Sequence, residues 1–88
     1  MTKEYGVNRI NNVSGFIGTH TNQKIDNFGP WIDKCRAVSY MREEFDFCVR
    51  FMEEKGLDYE IKDYTDKHCL ISVRGNKFQY FEFYLVEF

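Results

Sequence analysis

Five side chains in this sequence have reactive chemistry of their own: the thiols of Cys35, Cys48 and Cys69 and the imidazoles of His20 and His68. A metal site gathers such ligands at short spacing, as in CxxC or HxxxH, because several donors must aim at one point. Here the cysteines are widely spaced, and His68 merely adjoins Cys69. A Cys–His nucleophile pair fares no better. Successive residues of a strand point to opposite faces, so His68 is badly placed to activate Cys69. His20 lies in an irregular segment, with no partner fixed by spacing. The pattern predicts no catalytic residue, no metal and no cofactor, and thiols of the ordinary packed kind.

Carboxylates offer the other chemistry. Glu43, Glu44, Asp46, Glu53 and Glu54 crowd into one stretch. On a solvated helix face they keep ordinary acidities. The sharper reading is a charged stripe that imitates nucleic-acid phosphate and occupies a basic cleft. Charge is uneven along the chain. There are six basic residues against three acidic ones up to Arg42, three against nine over 43–66, and three against two thereafter. The net formal charge of −2 gives no general attraction to nucleic acid or to an anionic membrane.

Two stretches touch nucleic-acid patterns. Gly15-Phe16-Ile17-Gly18 is a GxxG, but the loops that clamp a backbone this way lie between helices and hold basic residues. Residues 74–81 share an Arg-Gly opening, Phe78 and a terminal aromatic with the aromatic strand of RNA-recognition domains. They depart from it at Asn76, Lys77 and Gln79. Neither stretch assigns the chain to a family.

Composition is biased: nine Phe and six Tyr stand against three Leu and a single alanine, Ala37. Plentiful Lys, Asn, Ile, Phe and Tyr with little Ala or Pro is what AT-rich codons give, as in phages and low-GC bacteria. The start of the chain is polar, no apolar run reaches the length of a membrane helix, and an odd number of cysteines is no disulfide framework. A cytoplasmic protein with free thiols is expected. The triplet Asn12-Val13-Ser14 then has no meaning as a glycosylation site.

The elements that must carry these groups follow from periodicity. Val38, Met41, Phe45, Cys48 and Met52 recur at three- and four-residue steps, so residues 40–55 form a helix with one apolar face. Arg42, Glu43, Asp46, Arg50, Glu53 and Glu54 lie off that face, and Gly56 suits the position after its last turn. Pro30 suits a first helical turn, and Trp31 and Cys35 extend the stripe upstream, which predicts a helix over 30–55. A shorter helix capped by Ser39 is the alternative. Downstream the period becomes two: strands over 58–64, 69–74 and 77–87, with a two-residue turn at Gly75-Asn76. Residues 7–13 and 16–21 are short extended pieces in an irregular first third. The expectation is a single α+β domain over 1–88: 1–29 irregular, 30–55 helical, 57–88 three-stranded. Its one main amphipathic helix packs on a small, mostly antiparallel sheet ending in a long aromatic hairpin.

That turn pairs Arg74 with Lys77, Ile71 with Tyr80 and Leu70 with Phe81. One face then carries Cys69, Ile71, Val73, Phe78, Tyr80, Tyr84 and Val86, interrupted by Glu82, and is expected to meet the helix. The other carries Leu70, Phe81, Phe83 and Leu85 at its base. Either Ile10, Val13, Phe16 and Ile17 cover that base, or part of it stays open for a partner; a bulge near Phe81 would exchange the faces. The function expected is a small non-enzymatic protein-binding module, such as a phage or mobile-element inhibitor of a host enzyme. It would bind a host protein or a second copy of itself. Its contacts would be Leu70, Phe81, Phe83 and Leu85, or the acidic face of Glu43, Glu44, Asp46, Glu53 and Glu54. The alternative is a single-stranded nucleic-acid-binding domain, with aromatics as stacking platforms and Lys67, Arg74 and Lys77 on phosphates.

Overall fold

The computed structural model describes residues 3–13 and 24–88. The elements run β1 (Tyr5–Asn11), β2 (Lys24–Trp31), α1 (Lys34–Glu54), β3 (Tyr59–Tyr64), β4 (His68–Val73) and β5 (Asn76–Glu87). The strands make one five-stranded sheet in the order β2-β1-β5-β4-β3, with every pairing antiparallel. The helix packs on one face of it, so the α+β class read from the sequence holds. The strand expected over 16–21, with Gly15, Phe16, Ile17, Gly18 and His20, lies outside the described residues.

The helix starts later than the apolar stripe suggests. Asp33 is extended and its carboxylate accepts the Cys35 amide at 2.9 Å, satisfying one of the free donors of the first turn. Pro30 and Trp31 belong to β2, where Trp31 stacks on Tyr40 with ring centres 4.9 Å apart. Proline is tolerated there because β2 is an edge strand with a side that makes no ladder bonds. The C-terminus closes as the sequence predicts. Gly56 takes φ 69°, and the Leu57 and Gly56 amides donate to the Met52 and Glu53 carbonyls at 2.9 and 3.1 Å. The buried stripe is Ala37, Met41, Phe45, Cys48 and Met52.

The described residues of the first third build the sheet. They supply two of its strands. Along β1, Val7, Arg9 and Asn11, with Val13 beyond, are buried towards α1, while Asn8 and Ile10 point away. Arg9 is held there by Asp26 of β2 at 2.7 Å and by Glu44 of α1 at 3.6 Å, and lies over the Phe28 ring.

The hairpin register differs from the sequence reading by one residue. The turn is Arg74-Gly75, with Gly75 at φ 81°, so that Val73 pairs with Asn76. An irregularity between Ser72 and Val73 then sets Ile71 opposite Phe81 and Leu70 opposite Glu82. Because side chains alternate with period two, a one-residue slip exchanges the faces of a whole strand. Phe81 and Phe83 are therefore fully buried against α1, with Phe83 edge-on to Phe45 and Phe81 edge-on to Phe51, each pair 6.1 Å apart. Cys69, Ile71 and Val73 of β4 share that face, as expected. The expected core members Phe78, Tyr80, Tyr84 and Val86 stand on the opposite one.

Candidate functional site

Among the described residues no second layer packs on the far side of the sheet. The alternation of β5 puts Phe78, Tyr80, Glu82, Tyr84 and Val86 on that side, flanked by His68, Leu70 and Ser72 of β4 and by Asn8 and Ile10 of β1. Phe78 is 72% exposed and Tyr84 39%. At one end Phe88 lies over Gly6, where its ring would stand 3.1 Å from an added Cβ. A side chain at Gly6 would push the aromatic aside.

Two shallow, solvent-open depressions adjoin on this face. The larger, about 380 Å³, lies between Glu60, Lys62, Ser72 and Phe78 near the hairpin turn. The smaller, about 170 Å³, is bounded by Lys62, Leu70, Ser72, Tyr80 and Glu82. Lys62 reaches this side by the alternation it shares with Glu60, just where β3 has an irregularity between Ile61 and Asp63. The same bulge sets Asp63 opposite Leu70, on the open face. Charge on this side comes from Glu60, Asp63 and Glu82 against Lys62 and His68.

The polar centre of the face is His68. Its Nδ1 lies 2.6 Å from Asp63 Oδ2 and its Nε2 2.6 Å from Glu82 Oε2, and its ring stacks on Tyr84 at 4.8 Å. Burial works against the imidazolium. Hydrogen bonds and attraction to the two carboxylates more than offset it, and the His68 pKa is raised. A hydrogen bond to Glu82 pushes the Tyr84 hydroxyl up to about 12. The two buried thiols are no nucleophiles at neutral pH. Burial pushes Cys48 up to about 12 and Cys69 to about 11, and Cys69 faces the helix, across the sheet from the His68 ring. Cys35 is exposed. Among the described residues no three His, Cys, Asp or Glu side chains are grouped to hold a metal ion, and no helix is long and apolar enough to cross a membrane.

The site residues expected from the sequence fare unevenly. Phe81 and Phe83 are core, and Leu85 is half-buried on the helix side against the same cluster, so the predicted apolar contact patch is not a surface. The slipped register is the reason. Leu70 alone of that group stands on the open face. Of the acidic group, Glu43, Asp46, Glu53 and Glu54 are exposed on α1, while Glu44 is turned towards Arg9. The sequence places Phe78, Tyr80 and Tyr84 on the core side and gives His68 and Asp63 no part in a site. Glu82 held the signal: a lone carboxylate among Tyr80, Tyr84 and Val86 marks the wetter side of β5, and Phe81, Phe83 and Leu85 as the core side.

Comparison with known proteins gives no match: no protein-family model, no curated protein and no solved structure is significantly similar to this chain.

Proposed function

We propose that this domain binds another protein through the open face of its sheet, with Phe78, Tyr80 and Tyr84 as its apolar contacts, and that it performs no catalysis. The observation that carries this is the placement of large aromatics on the side of the sheet away from α1, with Phe78 72% exposed. Burying a side chain of this size is worth roughly 1.5–3 kcal/mol, which a partner recovers on docking. Aromatic contacts ringed by polar groups are the usual make-up of such interfaces. The partner best suited presents apolar side chains to Phe78 and Tyr80, and Lys or Arg to Glu60 beside Phe78. Stacked nucleic-acid bases would bring phosphates to the same carboxylate. Arg74, a cation that reading requires, is already engaged with Asp58 at 3.2 Å.

Affinity capture with three purified proteins tests this. Wild type and a Glu53→Lys/Glu54→Lys variant should retain a partner that Phe78→Asp loses while remaining folded, and the purified partner should reproduce the difference by calorimetry. A partner that survives Phe78→Asp and is lost with the reversed helix charges would move the interface to α1. Salt-sensitive binding of oligonucleotides would replace a protein partner with a nucleic acid.

A further inference from the structure

Leu70 of β4 has Asp63 of β3 as its cross-strand neighbour on one side and Glu82 of β5 on the other. His68, two residues back on the same face, is thus diagonal to both carboxylates and directly opposite Tyr84. Such diagonal neighbours are within reach of a long side chain. The imidazole fills the gap between them, each ring nitrogen 2.6 Å from a carboxylate oxygen.

A neutral imidazole has one N–H and one bare lone pair. It can donate to one of these carboxylates only, and its lone pair would then face an anionic oxygen at the distance of a short hydrogen bond. Both contacts attract when both nitrogens carry hydrogen. We propose that His68 is an imidazolium that latches the edge strand β3, across β4, to β5, and that losing its proton opens the latch at Asp63.

The side that opens follows from solvation and partners. The Asp63 side chain is 40% exposed and Glu82 17%. Water can therefore replace the ring at Asp63 more cheaply than at Glu82, which is also tied to Tyr84. The remaining proton stays on Nε2, facing Glu82. The groups that face the ring are Asp63 from β3 and Glu82 and Tyr84 from β5. Lys62 lines the depression beyond Leu70, Asp66 of the following turn is paired with Arg42, and α1 lies across the sheet. Opening changes the trio from one net negative charge to two, on the face that carries the aromatics. The turn bonds of Thr65 to His68 do not involve the imidazole and persist.

The ring nitrogens report the state directly. Long-range 1H–15N spectra, with His20→Gln used to assign His68, should give a doubly protonated ring at pH 7 with a titration midpoint above that of free histidine. Above the midpoint a single Nε2–H tautomer should remain, and the amides of Asp63 and Tyr64 should shift and exchange faster in step with it. In Asp63→Asn the midpoint should fall, while the Nε2–H form is kept. A neutral ring at pH 7, an Nδ1–H tautomer at high pH, or a titration that leaves the β3 amides unmoved would each overturn the latch.

Discussion

Arg9 and Asp26 face each other across β1 and β2, and the Arg9 guanidinium donates to the Asp26 carboxylate at 2.7 Å with only 9% of the arginine side chain exposed. Glu44 of α1 stands 3.6 Å from the same group, so one buried cation ties two strands to the helix. Removing one partner of such a pair leaves the other's charge uncompensated. The cost is greater when the buried guanidinium is left behind than when the more exposed carboxylates of Asp26 and Glu44 are, which water can reach. Asp26→Ala should therefore cost about 3 kcal/mol in urea unfolding, and Arg9→Met less. Equal stability of Asp26→Ala and wild type would mean that water reaches the guanidinium.

The register of the hairpin makes opposite demands on two phenylalanines. Phe83 has no exposed surface and packs on Phe45, so Phe83→Ala should cost about 3–5 kcal/mol, through lost burial and the cavity left behind. Phe78 is 72% exposed, and Phe78→Ala should cost less than about 1 kcal/mol. Denaturant midpoints of the two variants decide the matter. The reverse order would restore the register that places the turn at Gly75-Asn76.

That pair also marks how far the sequence can be read. The helix was legible because Met41, Phe45, Cys48 and Met52 repeat at helical spacing and Gly56 stops it. Its start was not, since Pro30 serves an edge strand as well as a first helical turn, and the cap is Asp33. β1 hid its alternation because its buried side carries Arg9 and Asn11, while Ile10 points outward. Arg9 is tolerated there by its pairing with Asp26 and Glu44, whereas Asn11 is only half satisfied. Its Oδ1 accepts the Val13 amide, and its buried Nδ2 has no hydrogen-bond partner among the described residues. β5 is apolar on both sides, so its register depended on the irregularity between Ser72 and Val73, which exchanges its faces. The His68 cluster depended further on the bulge that turns Asp63 outward, which no local pattern announces.

Thiol reactivity should divide sharply. Cys35 is exposed, whereas Cys48 and Cys69 are buried with pKa values pushed up to about 12 and about 11. A disulfide reagent at pH 8 should modify one thiol quickly, mapped to Cys35 by peptide mass spectrometry. The other two should react only as fast as the domain opens, and all three at once in denaturant. Fast labelling of Cys48 in native buffer would contradict the packing of α1 on the sheet.

Stability should depend on pH through His68, with a defined sign. The folded state raises its pKa above the ordinary value of about 6.5, so the native protein holds this proton more tightly than the unfolded chain does. The stabilisation is fully present below about pH 6.5 and is lost as pH rises through the folded pKa. Denaturant midpoints for wild type should therefore fall across that window, and His68→Gln should flatten the profile within it. The lowered Glu87 pKa, caused by Lys3, acts only on the acid side and leaves this window untouched. An unchanged slope in His68→Gln would assign the pH dependence to another group and leave the His68 contacts without thermodynamic weight.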